Sequence, residues 1–361
     1  MNFTGGTITP VHEAVIVIPD LYLPSEGLPG EPAAEPGALA GLEHAGRFGE
    51  RQQLAAGWRE WLARWLGRGD LAGVSVAAVA AAAPVSTAGE DSRPAAAAAG
   101  GDAATRWIAT PVELVAGLTR VHLDRRGIVR LAPAEQAALA DAFHSSFAGA
   151  GLMLQPLSDG QFLAVTEGLA AIDTVEPARC AGAELVVPHG PAAAPLLRLM
   201  AEIEMWLHGA ALNQTRAARG EPQVTGLWLW GATGEALPAA AVEPPSAANG
   251  GTRRKAAAFG SDAFVAGLLH LDGGALGALP EPPGTVFTDP HAGHTVVVAQ
   301  LAAEPEPAAL DRRLVRPALA ALAGGALGRL TLIANDARIT LGRRSGLKRW
   351  RRPRAGLTAF A

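Results

Sequence analysis

The sequence contains a single cysteine, Cys180, among 361 residues. One thiol cannot close an internal disulfide, and it cannot build a metal cluster held by several thiolates. A disulfide-stabilised scaffold and a thiolate metal centre are therefore excluded. The cysteine content also gives no sign of an oxidising compartment.

Long hydrophobic runs are missing as well. The closest candidate, residues 74–85, is rich in alanine and falls short of the roughly 18 uninterrupted residues that cross a bilayer. Residues 1–10 lack the basic start and long apolar core of a signal peptide. We therefore expect a cytoplasmic protein with no membrane partner.

Charge is sparse, since charged residues make up 18% of the chain and the formal net charge at pH 7 is −4. This balance gives no global attraction to nucleic acid, which is therefore not expected as a partner. Hydrophobic residues make up 49%, which indicates a globular chain with a sizeable core.

Three short, largely apolar runs predict strands, and the first of them, which is continuously β-branched, is typical of a strand that is buried on both faces in the centre of a parallel sheet. They lie at residues 15–18, 295–299 and 330–334. A helix that begins near Asp311 and is interrupted by Pro317 separates the last two, and this order predicts a parallel crossover. We predict an α/β fold with a largely parallel central sheet flanked by helices.

Other segments are assigned by their periodicity. Residues 54–66 place three tryptophans on one apolar stripe and predict a core-facing helix. Pro133 opens a second helix, and residues 195–208 form a third. Residues 74–80 are predicted as a buried strand, and residues 107–123 as a return to the sheet.

These elements predict a single α/β domain over residues 1–361, with inserted loops or a small subdomain. Residues 81–105 are a low-complexity insertion that cannot bury enough surface to offset its ordering entropy. A flexible loop is predicted over residues 237–255. Residues 338–354 form a basic tail, predicted as a charged edge strand with a turn. Contact between this tail and a nucleic-acid backbone is the alternative.

The most distinctive segment follows the third helix. Asn213, Arg216 and Gly220 precede an aromatic strand at residues 227–231. This pattern resembles a segment of the archaeal-type, cofactor-independent phosphoglycerate mutases. It resembles their bacterial relatives, regulatory proteins of the RpfE type, still more closely. The resemblance implies an alkaline-phosphatase-like fold.

The mutase family works with two metal ions, held by Asp and His ligands beside a hydroxyl nucleophile. The resemblance implies metal ligands at Asp20, after the opening strand, and at Asp336, after the last core strand. The family's histidine next to that second acid is replaced by Ala337. The family's Asp and His after the preceding strand are missing after Ala299.

A second group of possible metal ligands is Asp289, His291 and His294, which lie within six residues. The alternative is a polar loop that precedes a strand. A mutase site built from these residues and the two acids above would hold manganese or zinc. The loss of other family ligands leads us to expect no cofactor.

A ligand site is predicted at Asn213, Arg216, Arg219 and Gly220. The two arginines could hold a phosphate through forked hydrogen bonds, and the glycine lets the backbone come close to a ligand. The alternative is that the asparagine and the arginines close the loop that leads into the aromatic strand. A phosphorylated small molecule is the partner that the first interpretation implies.

Three hypotheses follow. The first is a catalytically degenerate, phosphoglycerate-mutase-like protein with a regulatory or ligand-binding role. The second is an active metal-dependent phosphomutase or phosphohydrolase. The third is a nucleic-acid-associated protein that uses the basic tail.

Overall fold

The computed structural model describes residues 12–21, 37–84, 104–116, 121–147, 149–180, 183–242, 254–288, 293–300, 307–345 and 357–360. The chain divides into two compact units. The first unit comprises Met1–Trp58, Arg253–Gly260 and Gly277–Ala361, and the second comprises Arg59–Thr252 and Ser261–Leu276.

The strands are, in chain order, β1 (Glu13–Ile18), β2 (Glu50–Gln53), β3 (Ala104–Ala116), β4 (Val121–Ile128), β5 (Leu152–Pro156), β6 (Phe162–Glu167), β7 (Ala183–Glu184), β8 (Gly226–Trp230), β9 (Ala257–Gly260), β10 (His294–Val298), β11 (Arg329–Ala334) and β12 (Ala337–Gly342). The helices are α1 (Ala40–Phe48), α2 (Gly57–Leu66), α3 (Val76–Ala80), α4 (Pro133–Ser146), α5 (Ala194–His208), α6 (Ala211–Ala218), α7 (Ala239–Val242), α8 (Ala263–His270), α9 (Pro307–Leu310) and α10 (Arg316–Gly324).

The first unit is built on a six-stranded sheet in the order β2-β12-β11-β1-β10-β9. Strands β9, β10, β1 and β11 are parallel, whereas β12 and β2 each join by antiparallel pairing. The central strand β1 is fully buried from Ala14 to Ile18, because its β-branched side chains pack on both faces. The predicted parallel sheet is confirmed for this unit.

The predicted crossover is confirmed, since β10 and β11 both run parallel to β1 and flank it on either side. Between them, α9 and α10 are joined by a π-helical turn, Asp311–Val315. This turn comes just before Pro317, which has no N–H to donate to the carbonyl of Arg313. The predicted interruption of this helix is therefore local, and the segment stays helical up to its left-handed C-cap at Gly325.

The second unit carries a separate, antiparallel sheet in the order β5-β6-β3-β4-β7, with β8 also paired to β3. The long strand β3 pairs with β6 along its first half and with β4 along its second half, and β8 pairs with its centre. The predicted return to a sheet is confirmed for residues 107–116 and 121–123, which belong to β3 and β4 of this second sheet, whereas residues 117–120 lie outside the described residues. The residues that the structure describes therefore form a mixed α/β fold with two sheets.

One predicted strand is wrong, because residues 74–80 contain helix α3 instead. Ser75 accepts a hydrogen bond from the N–H of Ala78 and caps the helix, and the alanines that follow favour it. Helix α8 packs closely on α3, since a Cβ at Gly267 would lie 1.9 Å from the carbonyl oxygen of Val79.

The predicted tryptophan helix is confirmed as α2. Trp58 is buried, whereas Trp61 and Trp65 are half-buried and stack with ring centroids 6.1 Å apart. Within the part of the chain that is described, no helix is long and apolar enough to cross a membrane. Of the predicted insertion, loop and tail, residues 85–103, 243–253 and 346–356 lie outside the described residues.

Candidate functional site

Two of the predicted metal ligands lie at the carboxyl edge of the first sheet, the edge where β1 and β11 end. Ile18 and Ala334 are paired in the sheet, and Asp20 and Asp336 each lie two residues beyond that pair. Asp20 is buried, with 2% of its surface exposed. Ligands of open parallel sheets bind at this edge, and both acids lie there.

Asp336 has a structural contact at this position. It belongs to the two-residue turn between β11 and β12, in which Asn335 adopts a left-handed φ of 51°. One carboxylate oxygen of Asp336 accepts a hydrogen bond from the backbone N–H of Trp58 at 3.1 Å. Trp58 lies in the first turn of α2, so the carboxylate satisfies one of the donors that a helix N-terminus leaves unpaired.

His294 lies at the opposite, amino edge of the same sheet. It is the first residue of β10 and is paired with Glu13, the first residue of β1. At about 3.3 Å per residue, the two ends of β1 are roughly 16 Å apart, so His294 cannot share a metal ion with Asp20. Burial lowers the pKa of His294, and Arg254 adds to this effect while Glu13 opposes it.

The predicted metal ligands therefore do not form one cluster. Asp289 and His291 lie outside the described residues. Among the residues that are described, no group of three or more His, Cys, Asp or Glu side chains is placed to hold a metal ion. Asp20 and Asp336 follow neighbouring strands at the carboxyl edge, whereas His294, the predicted histidine that is described, lies at the amino edge.

The predicted ligand residues of the second unit are close together, and they close a loop. The amide nitrogen of Asn213 donates to the carbonyl oxygens of Leu207 and Val224 at 2.9 and 2.8 Å. Its amide oxygen accepts from the N–H of Val224 at 2.8 Å. Asn213 is buried, and these three bonds join the end of α5 to the segment before β8. Gly220 supplies the turn with a φ of 68°.

Both predicted arginines contact Glu135, at the start of α4. Arg216 donates from one nitrogen to both carboxylate oxygens at 3.0 and 2.9 Å, and Arg219 donates to one of them at 2.6 Å. Arg219 also donates to Glu221 at 2.7 Å. Burial alone would raise the pKa of Glu135, but the N–H of Ala132 and the two arginines outweigh it, and the pKa is lowered. The arginines thus already have anionic partners.

A groove of about 540 Å³ lies beside this ion-pair cluster, bounded by α4, α5 and α6. Its walls are mostly small or apolar, and Glu135 and Arg219 form its main polar boundary. Trp206 stands at the groove with its ring edge-on to Phe143 and Phe147, at centroid distances of 5.6 and 5.7 Å. The lining residues are Ala134, Glu135, Ala138, Leu139, Ala142, Trp206, Gly209, Ala210, Ala211, Leu212, Thr215 and Arg219.

Sequence reasoning missed this groove, although one signal for it exists. Ala134, Ala138 and Ala142 are spaced by four residues on α4, so they share one face of the helix. Small side chains on that face leave room that longer ones would fill. The groove volume falls within the roughly 300–1,000 Å³ that is common for small-molecule sites.

A buried ionic cluster in the second unit was also missed. Arg59 donates to both carboxylate oxygens of Glu176 at 2.8 Å, lies 3.7 Å from Asp262, and stacks over the ring of Trp230 at 4.9 Å. Asp262 caps α8 by accepting from the N–H of Val265 at 3.0 Å. Burial raises the pKa of Asp262 although Arg59 opposes it. No local pattern in the sequence signals this cluster, because its members come from distant segments.

Comparisons with known proteins give distant likenesses. No protein-family model and no curated protein sequence matches the chain. One similar solved structure is the cofactor-independent phosphoglycerate mutase from Thermoplasma acidophilum DSM 1728, with 13% identity, a TM-score of 0.35, and coverage of 92% of this chain and 90% of that chain. Another is the PH0037 protein from Pyrococcus horikoshii, with 11% identity, a TM-score of 0.44, and coverage of 93% and 88%. The likeness is distant and concerns the fold, so a function has to be argued from the site.

Proposed function

We propose that this chain is a mutase-like protein that binds a small molecule in the groove of the second unit and does not turn over phosphoglycerate. The groove is the single observation that carries the proposal. It combines a volume suited to a small ligand with apolar walls and one polar boundary. A regulatory role, in which ligand occupancy is the signal, is consistent with binding without turnover.

The walls indicate the kind of ligand. Leu139, Leu212 and the ring of Trp206 offer apolar surface to an aromatic or aliphatic body. Arg219 lies at the boundary of the groove, and its side chain is 47% exposed. Its ion pairs to Glu135 and Glu221 both use one terminal nitrogen, and a guanidinium has further N–H donors to offer a ligand. We therefore expect a ligand with an apolar body and one polar or acidic group, and a phosphate is one such group.

The proposal can be tested with an anilinonaphthalene sulfonate dye, which has an aromatic body and one acidic group. Ala138→Trp places a large ring in the groove. Ala137→Trp is the matched control, because Ala137 is exposed on the same helix and does not line the groove. We expect dye affinity to fall at least tenfold in Ala138→Trp and to stay within about twofold in Ala137→Trp, which is about 0.4 kcal/mol. Equal affinity in the two variants would contradict the proposal.

An active metal-dependent phosphotransferase remains the second candidate, and one observation favours it. Asp20 and Asp336 lie at equivalent positions beyond the ends of two neighbouring parallel strands, which is where such sheets bind ligands. Two carboxylates can contribute to a metal site. Measurement of mutase turnover with added metal distinguishes this candidate from the first.

A further inference from the structure

The amino edge of the first sheet, where β1, β10 and β11 begin, gathers cationic side chains from distant parts of the sequence. Arg254 and Lys255 lie two to three residues before the start of β9, and Arg329 is the first residue of β11. Because β12 is antiparallel and Gly342 pairs with Arg329, the chain after β12 returns to this same edge with Arg343 and Arg344. All five side chains are exposed.

The Arg343 side chain lies close to Gly325, at the end of α10. A Cβ at Gly325 would lie 2.7 Å from a terminal nitrogen of the Arg343 guanidinium. Gly325 is the C-cap of α10 and lies four residues before Arg329. The guanidinium therefore stands at the negative end of that helix and next to the start of β11.

Few carboxylates lie at this edge among the residues that are described. Glu13 lies among the cations, 3.2 Å from Arg329 and 3.3 Å from Arg254, with 16% of its side chain exposed. Glu50, at the start of β2, is the other carboxylate that begins a strand here. Among the described residues at this edge, five cations thus face two carboxylates. His294 is left out of this balance because burial, the largest influence, lowers its pKa.

The charges of the whole chain are segregated in the same direction. The first unit contains 17 Lys and Arg residues against 13 Asp and Glu residues, whereas the second contains 13 against 21. The net charge of −4 is therefore the sum of a net positive first unit and a net negative second unit. The expectation that nucleic acid is not a partner rested on the total charge, and the field near a surface depends on the local distribution.

The geometry of the edge suits a linear polyanion. Neighbouring strands lie about 4.8 Å apart, so the four steps from β9 to β12 spread the cations along a row of roughly 19 Å. One strand of a nucleic-acid duplex carries a phosphate every 3.4 Å or so, and such a row spans about five or six of them. A single small anion would use only part of it.

We propose that the amino edge of the first sheet binds the phosphate backbone of double-stranded nucleic acid without reading its sequence. This function is separate from the groove, which belongs to the second unit. Exposed large apolar side chains would favour a protein or membrane partner. Those found in the described residues all belong to the second unit, and none of them is aromatic, so stacking on single strands is not supported. They are Val115, Val121, Val186 and Met205.

The test is a salt titration of the full chain with a labelled duplex of mixed sequence, followed by fluorescence anisotropy. Each phosphate neutralised contributes about −0.9 to the slope of log affinity against log salt. Lys255→Gln combined with Arg329→Gln should make the slope shallower by about 1.8 and lower the affinity at low salt by tenfold or more. The matched control is Arg198→Gln with Arg312→Gln, two exposed arginines elsewhere, which change the net charge equally. This control should keep the original slope.

Several outcomes would overturn the proposal. One is an equal loss of slope in both double variants, which would mean that only net charge matters. Another is binding that ends when the five basic residues between positions 348 and 354 become Gln but is unaffected by the edge variant. A third is stronger binding to acidic phospholipid vesicles than to the duplex at the same salt concentration. Circular dichroism and thermal midpoints of both variants show that any loss of binding occurs in folded protein.

Discussion

The carboxylate of Asp336 accepts a hydrogen bond from the backbone N–H of Trp58 at 3.1 Å. The backbone carbonyl of the same aspartate accepts from the N–H of Leu54 at 2.8 Å. The turn after β11 is thus connected to the segment that leads into α2. The acid that the mutase resemblance implies as a metal ligand therefore also supports the start of a helix.

The first prediction concerns this contact. Asp336→Ala removes the acceptor at the first turn of α2, so we expect the free energy of unfolding to fall by about 1 kcal/mol, within the usual 0.5–2 kcal/mol for a lost cap. Asp336→Asn keeps an oxygen acceptor and should lose less than half of that. Urea unfolding of the two variants measures the difference. A metal-dependent rise in thermal midpoint that both variants abolish would contradict a purely structural role.

The second prediction concerns Asp311, which is fully buried. Its carboxylate accepts from the N–H groups of Gly41 and Leu42 at 3.1 and 2.7 Å, and from Arg316 at 2.7 Å. Asp311→Ala leaves these donors without their acceptor, so we expect a loss of about 3 kcal/mol or more in the free energy of unfolding. Asp141→Ala, at an exposed position on α4, is the control and should change it by less than about 0.5 kcal/mol. A similar small change in both would show that Asp311 is dispensable.

The first sheet could be predicted because its signal is local. Each of its three central strands contains a short, nearly continuous run of apolar and β-branched residues, which is typical of strands that are buried on both faces. Residues 74–80 have a similar composition, yet they form α3, because Ser75 caps a helix there. A short apolar run alone does not separate the two outcomes. The division into two sheets was missed because strand pairing depends on contacts between distant segments.

The same limit applies to the candidate site. The sequence placed Arg216 and Arg219 together, since they lie three residues apart. It could not show that Glu135, which precedes Arg216 by 81 residues, pairs with both of them. Arg59 and Glu176 are 117 residues apart, and their ion pair could not be predicted for the same reason. Which buried charges pair is determined by the fold, and the spacing of the residues along the sequence does not indicate it.

The third prediction is that the purified protein does not interconvert 2- and 3-phosphoglycerate, even with added manganese or zinc. The reason is the placement of the ligands, because His294 lies at the amino edge and Asp336 is bonded to α2. A coupled assay with each metal, run beside an authentic mutase, makes the measurement. Metal-dependent turnover that disappears in Asp20→Ala would refute this prediction and promote the phosphotransferase candidate.

The last prediction uses the buried ionic cluster of the second unit, in which two acids have opposite pKa shifts. Burial raises the pKa of Asp262, with Asp159 and Glu176 adding to the effect and Arg59 opposing it. Burial would also raise the pKa of Glu176, but the paired Arg59 outweighs it, and that pKa is lowered. The two acids must therefore affect stability with opposite dependence on pH.

As pH rises above about 3.9, the usual pKa of an aspartate, Asp262 ionises in the unfolded chain before it does so in the native state. Its contribution to stability is therefore lost as pH rises toward its native pKa. Asp262→Asn keeps an oxygen acceptor for Val265 and cannot ionise, so the wild type should lose stability relative to this variant with rising pH.

The contribution of Glu176 to stability is present above about pH 4.3 and is lost as pH falls, so the advantage of the wild type over Glu176→Gln should shrink at low pH. Urea unfolding of the wild type and both variants from pH 3 to pH 7 gives the stability of the wild type relative to each variant. Plotted against pH, these two differences should have slopes of opposite sign, each no steeper than about 1.4 kcal/mol per pH unit. Slopes of the same sign would show that the cluster does not hold its charges as the structure indicates.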